Sequence, residues 1–401
     1  MPLNPFDASG SALGYLYQCS WALVTFLTRL DPGENVDLAI EKLDDVSFEK
    51  AGAALELIQT KHHLRAAANL TDASPDLWKT VRVWVESYRR GDCRLPGVVL
   101  TLVTTANAQA GSIAASLRPS GGRDTTSACE NLTKVANTSG SVENKAAYDA
   151  FLGLTPIQRL ALVDSIYVLD RAPAAADLTA EITRLVQHAA DDKHLTAFVE
   201  RLQGWWLDRV VERLARGVSG PITAADLRLK LADLRHSFQP DNLPLDFAVT
   251  DPPEGADPDG DMRVFVHQLR LIAANNDRIR FAITDYFRAF SQRSRWLRDD
   301  LVHAGELEAY ETRLIEELER HKATIRDDGP EPQEESDKAA FGRKLLRWVE
   351  KDAQILIRAQ VNDPFVMRGS FHLLADQQRL GWHPDFMARL RALLSGGLAA
   401  S

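Results

Sequence analysis

The spacing of apolar residues over the first 105 positions predicts alternating helices and strands. From Ala12 to Leu30 they recur at helical spacing, and the stop signal Asp31-Pro32-Gly33 follows. Val36–Glu41 alternates apolar and polar residues, which is typical of a half-buried strand. Further elements are expected as strands at 46–48, 55–60 and 98–104, and as a helix from Ser74-Pro75 to about Arg90. This order of a helix, three strands, a helix and a strand predicts an α/β core.

The rest of the chain is predicted to be mostly helical, with polar interruptions. Residues 119–145 are rich in Ser, Gly, Thr and Asn, which predicts a surface loop or insertion. Residues 165–170 are one more strand candidate, and the apolar spacing is helical from Ala175 onward. Two acidic, proline-containing stretches, 250–261 and 326–337, are expected to be solvated loops. We therefore predict an α/β domain over residues 1–210 and a mostly α-helical, partner-binding or oligomerisation domain over 211–401.

Length and composition fit a globular protein of two domains. The 401 residues exceed the usual size of one domain. Cys19, Cys93 and Cys129 are widely separated, so they predict neither a disulfide framework nor a zinc site. No run approaches the roughly 18 apolar residues of a membrane span, and the first residues lack a signal-peptide pattern. The expectation is a cytoplasmic protein with no membrane segment.

The charge distribution bears on nucleic-acid binding. A net charge of −9 argues against a protein that coats nucleic acid non-specifically. Between residues 61 and 94, however, seven basic residues outnumber four acidic ones, an excess of +3: Lys61, Arg65, Lys79, Arg82, Arg89, Arg90 and Arg94 against Asp72, Asp76, Glu86 and Asp92. A DNA-facing side and an ordinary solvated helix face both fit this excess.

Candidate chemistry is concentrated in a predicted hairpin between residues 44 and 61. Residues two apart on a strand share a face, so Gln59 and Lys61 are expected to project together. The hairpin connection brings Asp45 beside them. Carboxylate and amide oxygens suit Mg²⁺ (or Mn²⁺), and a Lys ammonium can offset charge that develops on a phosphate. This combination predicts a site for phosphodiester hydrolysis.

The same hairpin leaves two questions open. Gln59 stands where a second acid is more usual, so the site lacks one negative charge, which Asp44, Glu41 or Glu56 could supply. The sequence does not decide whether Asp44 or Asp45 is the main metal ligand. Asp-Asp followed by Gln-x-Lys also arises by chance in solvated hairpins.

Four ordered segments strengthen the catalytic interpretation: Gly14-Tyr15-Leu16-Tyr17-Gln18, Ile40-Glu41, Asp44-Asp45-Val46 and Ile58-Gln59-Thr60-Lys61-His62-His63. The series resembles the PD-(D/E)xK effector endonuclease domain of bacterial antiphage systems, including those switched by cyclic oligonucleotides (CBASS). The resemblance covers residues 10–65 closely and extends loosely to about residue 210. It implies a restriction-endonuclease-like fold, with Asp45, Gln59 and Lys61 catalytic and Glu41 near the site. Asp44 and Glu41 are the further metal ligands expected at this hairpin. Gln18 is expected near the bound substrate, which would be double-stranded DNA.

The neighbouring aromatic residues carry weaker expectations. No other His or Cys lies near His62 and His63 in the sequence, so both are expected at the surface or against substrate phosphate and not on a metal. Trp78 and Trp84, on one predicted helix, are expected to pack in the core or in a groove. At least one residue of Trp205-Trp206 should be buried.

Arg and Trp recur in the last third, in the segments Gln292-Arg293-Ser294-Arg295-Trp296, Arg368-Gly369-Ser370-Phe371-His372 and Gly381-Trp382-His383-Pro384-Asp385. These residue types are favoured where a surface is desolvated against a partner, although packing between helices gives a similar pattern. Taken in order, the segments resemble the C-terminal domain of the nuclease component of ABC-three-component systems, the group that includes Lamassu, over residues 262–395. The resemblance implies docking onto an SMC-like ABC ATPase and a small middle subunit.

The combined expectation is a Mg²⁺-dependent DNA endonuclease that serves a Lamassu-like antiphage or antiplasmid complex. Its partners would hold it in check until foreign DNA is sensed. Activity would involve a homo-oligomer, because one nuclease site cuts one strand. The sequence has no Gly-x-x-x-x-Gly-Lys-Ser/Thr loop, so any ATPase is a separate chain. The alternatives are a catalytically weak adaptor with a nuclease-like fold, which Gln59 and the acidic net charge favour, and an RNA-directed nuclease.

Overall fold

The computed structural model describes residues 9–30, 36–63, 68–215 and 220–397. The chain forms two compact units, Met1–Asp233 and Leu234–Ser401. The stop signal Asp31-Pro32-Gly33 lies outside the described residues. Within the described parts of the chain, no helix is both long and apolar enough to cross a membrane.

A mixed five-stranded sheet organises the first unit. Its strands are β1 (Asp37–Ile40), β2 (Val46–Lys50), β3 (Ala53–Lys61), β4 (Val99–Thr104) and β5 (Ile166–Leu169), in the spatial order β1-β2-β3-β4-β5. The first three strands are antiparallel neighbours, whereas β3, β4 and β5 run parallel. The strands expected from hydrophobic alternation are all present, and the expectation of an α/β N-terminal part is confirmed.

The helices of the first unit precede, connect and follow these strands. They are α1 (Ser9–Thr28), α2 (Pro75–Arg90), α3 (Ile113–Ser116), α4 (Thr125–Thr138), α5 (Lys145–Leu152), α6 (Pro156–Ser165), α7 (Leu178–Leu185) and α8 (Leu195–Ala215), and α9 (Ala224–Ser237) contains the unit boundary. The chain order α1, β1, β2, β3, α2, β4 is the order that the sequence predicts.

Helix α2 is anchored in the core through its two tryptophans. Trp78 and Trp84 are fully buried, and with β4 and α3 to α6 they build one hydrophobic cluster. The helix begins with proline at its first turn, as expected, but the side chain of Ser74 makes no capping hydrogen bond. Trp206 on α8 is also buried, as expected for at least one member of that pair.

The prediction of a loop over residues 119–145 is wrong. This stretch contains α4, and α5 begins at its last residue. The Asp124 side chain caps α4 by accepting a 2.9 Å hydrogen bond from the Ser127 backbone N–H. Ala128, Leu132 and Ala136 recur every fourth residue and bury one face of α4. Tertiary burial therefore outweighs the low helix propensity of the Ser, Thr and Asn residues around it.

The first unit extends beyond the predicted domain boundary at residue 210, which falls inside α8. Leu38 and Ile222 exchange backbone hydrogen bonds, at 2.9 Å from the Leu38 N–H and 2.7 Å from the Ile222 N–H. This antiparallel bridge adds residue 222 to the outer edge of β1. The connection after α8 therefore remains part of the sheet-containing unit, which continues to Asp233.

Helices are the only regular secondary structure among the described residues of the second unit, and the expectation of a mostly helical C-terminal part is confirmed. Its helices are α10 (Val264–Leu271), α11 (Asn276–Arg298), α12 (Glu306–Asp327), α13 (Glu335–Lys351), α14 (Pro364–Asp376) and α15 (Phe386–Gly397). Residues 250–261 contain only turns, as predicted, whereas α12 and α13 shorten the second predicted loop to residues 328–334. Helices α11 and α14 approach closely at Gly369, where a Cβ would overlap the Asp285 carbonyl of α11.

A buried histidine lies in the core of this second unit. His372 on α14 packs between the rings of Phe265 and Trp382, with ring centroids at 5.4 and 5.8 Å. Its Nδ1 atom is buried without a hydrogen-bond partner. Burial lowers the pKa of His372 from 6.5 to about 3, because the charged imidazolium is poorly solvated there. The folded protein therefore holds this side chain neutral.

We expect His372 to make the second unit sensitive to acid. Because its pKa is lower in the folded than in the unfolded state, its contribution to stability is complete above pH 6.5 and is lost as the pH falls towards 3. At about pH 4.5 this loss amounts to about 2 to 3 kcal/mol. Denaturant unfolding of the full chain at neutral pH and at about pH 4.5 measures it. The stability difference between His372→Leu and wild type should shift in favour of the variant by that amount on acidification.

The exposed His236 provides a matched control. His236→Leu should leave the pH dependence of unfolding as it is in wild type. The same shift in both variants would contradict the assignment to His372.

Candidate active site at the β2–β3 hairpin

The β2–β3 hairpin positions the side chains that the sequence singles out. A two-residue turn, Ala51-Gly52, joins the strands, and both turn residues have positive φ, as a tight hairpin requires. Val46 pairs with Ile58, so Asp45 lies just beyond the start of β2, beside Gln59. Lys61 and Gln59 share one face of β3, as predicted.

The Gln59 side chain connects the candidate residues. Its Nε2 atom donates to Oδ1 of Asp44 and, at 2.8 Å, to Oδ1 of Asp45. Its Oε1 atom accepts a 2.8 Å hydrogen bond from Nζ of Lys61. Two carboxylates therefore converge on one amide, and the ammonium of Lys61 lies on the other side of that amide. The structure brings Asp44, Asp45, Gln59 and Lys61 together.

Each carboxylate is also held at its second oxygen. Oδ2 of Asp45 accepts from the backbone N–H of Thr60 at 2.8 Å and from its Oγ1 at 3.2 Å. Oδ2 of Asp44 accepts from the indole N–H of Trp84 on α2 at 2.8 Å. Both side chains thus reach Gln59 with fixed orientations.

The two carboxylates differ in burial. Asp44 is only 7% exposed, and Asp45 is half-buried. Burial raises the pKa of Asp44 to about 7, and the nearby charge of Asp45 adds to this. Hydrogen bonds from Gln59 and Trp84 act in the opposite direction. The charged form of Asp44 is therefore poorly solvated, whereas Asp45 is more accessible to a ligand.

Helix α1 reaches the site through Gln18. Its Nε2 atom donates to Oε1 of Glu41 at 3.0 Å and to the carbonyl oxygen of Asp45 at 2.6 Å. Glu41 has a positive φ of 54°, and its backbone N–H also donates to the Asp45 carbonyl at 3.1 Å. Gln18 and Glu41 therefore support the backbone at Asp45, and Glu41 does not join the two carboxylates at Gln59.

Glu56 lies outside the site, contrary to one of the possibilities that the sequence left open. It is an odd number of residues from Gln59 on β3, so its side chain points to the opposite face of the sheet. There it accepts hydrogen bonds from Thr101 and from Arg29. Of the three candidate acids, only Asp44 contacts the Gln59 side chain.

His62 and His63 lie just past Lys61 and do not contact the carboxylates. Nε2 of His63 is 2.9 Å from Oδ2 of Asp76. The ring of His62 packs on Tyr17 with centroids 4.8 Å apart, and its Nε2 accepts a 3.4 Å hydrogen bond from the Ala175 backbone N–H. Burial lowers the pKa of His62, and the neighbouring His63 adds to this. Both histidines line a cleft beside the site.

Three of the four basic residues on α2 are paired with acids. Among the residues described there, three of the cations pair with acids: Lys79 with Glu143 at 2.8 Å, Arg82 with Glu86 at 2.9 Å and Arg90 with Asp92 at 2.8 Å. Arg65 lies outside the described residues. These pairs favour a solvated helix face over a DNA-facing surface.

Sequence reasoning missed the roles of Thr60 and Trp84. The Trp84 indole bonds to a residue 40 positions earlier, and no local pattern carries that information. Thr60 lies between Gln59 and Lys61, so its position was known, but its two bonds to Asp45 depend on how Asp45 folds back over β3. Both residues orient a carboxylate of the candidate site.

The converging groups fit a hard divalent cation. Carboxylate and amide oxygens are the ligands that Mg²⁺ prefers, and Mg²⁺ keeps several waters when few protein ligands are available. A half-turn of the Gln59 amide exchanges its nitrogen for its oxygen, and Oε1 would then face the two carboxylates. No group of three or more His, Cys, Asp and Glu side chains suited to a metal exists in the part of the chain that the structure describes. An ion at this hairpin would have Asp44, Asp45 and Gln59 as its protein ligands.

Comparison with known families bears on the second unit. Residues 265–390 match the model of C-terminal domain 7 of the ABC-three component (ABC-3C) systems. The resemblance predicted for residues 262–395 is confirmed at this level. The matched ABC-3C domain begins in α10 and ends in α15, and it contains none of the candidate catalytic residues.

Solved structures give only distant similarities. The Cap4 SAVED/CARF-domain containing receptor of Acinetobacter baumannii is 12% identical over 69% of this chain, with a TM-score of 0.34, and the chain spans 60% of that receptor's length. The corresponding receptor of Moraxella osloensis is 14% identical, with 70% of this chain and 68% of the receptor covered and a TM-score of 0.35. These scores are too low to support a conclusion about fold or activity. No curated protein matches the sequence.

Trp84→Phe tests whether the Trp84 indole orients the candidate site in addition to filling the core. The substitution removes the N–H donor to the buried Asp44 and should destabilise the protein by about 1 to 3 kcal/mol. We also expect weaker binding of Mg²⁺, because one candidate ligand loses its orientation. Denaturant unfolding and isothermal titration with Mg²⁺ measure the two effects.

Trp78→Phe is the matched control. Trp78 is equally buried on the same helix, and its indole N–H donates at 2.8 Å to the Asp72 carbonyl, away from the carboxylates. It should lose stability and keep wild-type Mg²⁺ affinity. Equal effects of the two variants on Mg²⁺ binding would contradict the role given to Trp84.

Proposed function

We propose that this protein is a Mg²⁺-dependent DNA endonuclease, the effector subunit of a Lamassu-like ABC-3C antiphage complex. One observation carries the proposal: Asp44, Asp45 and Lys61 meet at the Gln59 amide on one hairpin. The ABC-3C match of residues 265–390 supports the system to which the subunit is assigned.

The side chains divide the work of phosphodiester hydrolysis. Asp44, Asp45 and Gln59 would hold Mg²⁺, which when bound stabilises negative charge on the reacting phosphate. Lys61 offers an ammonium beside that position and offsets the charge that develops as the phosphodiester is attacked. Thr60 and Trp84 keep the carboxylates oriented, so little reorganisation is needed when substrate arrives.

The order of elements supports a nuclease core. A helix precedes three antiparallel strands, and a second helix then leads to a fourth strand parallel to the third. The resemblance to the PD-(D/E)xK effector endonucleases likewise has a helix before an acidic strand and a Gln-x-Lys-His strand. Asp45 directly precedes the second strand, and Gln59 and Lys61 lie on the third.

The second unit serves recruitment in this proposal. Its ABC-3C domain would dock the nuclease onto an SMC-like ABC ATPase and a small middle subunit, which restrain it until foreign DNA is sensed. Release and self-association would then pair two nuclease sites, because a single site cuts one strand. A nuclease that would be toxic to its own cell if constantly active requires such restraint.

Cleavage of supercoiled plasmid with Mg²⁺ tests the catalytic assignment. Asp45→Asn removes one carboxylate charge and Lys61→Met removes the ammonium, and each should slow cleavage by roughly 10² to 10³. Lys50→Met is the matched control, since Lys50 is exposed at the far end of β2. The assay is run on the purified protein alone and again with its co-expressed partner subunits.

The outcomes are decisive for the site and for the substrate. Unchanged cleavage by Asp45→Asn and Lys61→Met, at rates equal to that of Lys50→Met, would refute the catalytic role of the hairpin. A parallel reaction with double-stranded and single-stranded RNA identifies an RNA-directed nuclease if RNA alone is cut.

The second candidate function is a non-catalytic adaptor with a nuclease-like fold. The Gln59 amide satisfies both carboxylates without a cation, and this observation favours it. In that case the protein would bind neither Mg²⁺ nor Mn²⁺ in calorimetry, and none of the hairpin substitutions would affect defence against phage.

Gln59→Glu distinguishes the two functions. It places a third carboxylate among two others, so the variant should melt at a lower temperature than wild type in EDTA because like charges repel. In the nuclease proposal, added Mg²⁺ restores its stability and binds about tenfold more tightly than to wild type, since one more charged ligand is available. Thermal melts with and without Mg²⁺ measure both effects.

Gln18→Glu is the control for Gln59→Glu. It adds the same charge beside Glu41, one contact away from the carboxylates. Mg²⁺ should restore the thermal stability of Gln18→Glu less than that of Gln59→Glu. Equal rescue of both variants, or none for Gln59→Glu, would count against a metal site at Gln59.

A further inference from the structure

A cleft of about 860 Å³ opens directly beside the candidate active site. It lies where β3, β4 and β5 end: His62 and His63 follow β3, Thr105 and Asn107 follow β4, and Arg171 follows β5. The carboxyl ends of parallel strands in open α/β sheets are a common place for ligands. The position of the cleft therefore suits a substrate.

The cleft and the active site share two elements. On β3, Lys61 belongs to the active site and the next two residues line the cleft. On α1, Gln18 bonds to the backbone of Asp45, whereas Leu16 and Ser20 line the cleft. A strand bound at the carboxylates would therefore continue into this space.

The described lining residues include one arginine and an apolar wall. Arg171 supplies a guanidinium, and the two histidines and Asn107 add hydrogen-bonding groups. Leu13, Leu16 and a run of alanines form the wall, and Leu16 is 49% exposed. The described lining contains no acidic side chain. A positive group beside apolar surface matches the alternation of phosphate with sugar and base in a nucleic-acid strand.

Arg171 is held in an unusual backbone conformation. Its φ is +54°, a region that non-glycine residues seldom adopt. The backbone N–H of Arg171 donates to Ala106 and that of Ala172 to Thr104, each at 3.0 Å. Residues kept in such conformations by their surroundings concentrate at ligand sites.

The guanidinium of Arg171 remains available to a ligand. Its Nε atom donates to Oδ1 of Asn107 at 2.7 Å, which fixes its direction without neutralising its charge. The adjacent carboxylate of Asp170 is already bound by Arg118, at 2.8 Å from its Nε atom. Within the described residues, Arg171 has no carboxylate partner, unlike most of the cations of α2.

We propose that this cleft binds the DNA strand next to the scissile phosphate, with Arg171 on a backbone phosphate and the apolar wall against the adjoining sugar and base. The inference rests on the proposed nuclease function and names the part of the protein that positions its substrate. Arg171 is then a substrate-binding residue with no part in the hydrolytic step.

The test measures DNA binding without cleavage. Fluorescence anisotropy of a labelled DNA duplex is recorded in EDTA over a salt series. Arg171→Asn tolerates the positive φ and removes the charge, so affinity should fall roughly tenfold. The slope of log affinity against log salt should decrease by about one. Arg171→Lys should keep the slope.

Arg94→Asn is the matched control, because Arg94 is exposed before the amino end of β4, at the opposite end of the parallel strands. It should bind DNA as wild type does. Equal affinities and slopes for wild type, Arg171→Asn and Arg94→Asn would overturn the proposal, and so would binding of an RNA duplex but not DNA.

The binding test is independent of catalysis. Loss of affinity in Arg171→Asn supports DNA binding by the cleft even if neither the wild type nor any variant cuts plasmid. In that case only the nuclease function is refuted. Where wild type cuts, Arg171→Asn should raise KM and leave kcat nearly unchanged. A fall in kcat with KM unchanged would overturn the role given to Arg171.

Discussion

Two neighbouring carboxylates that share a single amide donor set the constraint on which the first unit depends. Asp44 and Asp45 repel each other, and Gln59 relieves this by donating to both. Three separate elements are fixed to the same point, because α1 reaches it through Gln18 and α2 through Trp84. Because Trp84 is buried in the hydrophobic core and also bonds to Asp44, the core fixes the position of this polar, partly buried site.

This arrangement explains why the site is rigid although the charge of Asp44 is poorly solvated. Asp44 is buried and bonded, yet its pKa is raised to about 7, so its solvation is poor. A bound cation would compensate that charge better than an amide does. In the proposed function, Gln59 holds the two carboxylates in place in the free protein. Mg²⁺ could replace these hydrogen bonds when substrate binds. The second unit contains none of these residues, and it is the part of the chain that matches an ABC-3C domain.

Local patterns predicted those features that depend on local geometry. Strand alternation was sufficient to place Gln59 and Lys61 on one face and would also have excluded Glu56, which lies an odd number of residues away. Helix α4 was not predicted because its composition is mostly polar and only a narrow stripe of its residues is buried. Trp84 and Arg171 escaped because their roles depend on contacts made far along the chain or at the end of a different strand. The roles of the catalytic candidates remain predictions.

The bridge between Leu38 and Ile222 has a practical consequence for the edge of the sheet. Strand β1 is one of the two edge strands, and the backbone groups of an uncovered edge are open to pairing with another chain. Ile222 occupies part of that edge with two hydrogen bonds. A fragment ending at residue 210 would lack this cover. Its β1 edge would have unpaired backbone groups that could bind another copy of the fragment. Self-association of such a fragment would then report an uncovered sheet edge, and should not be taken for the assembly of the intact protein.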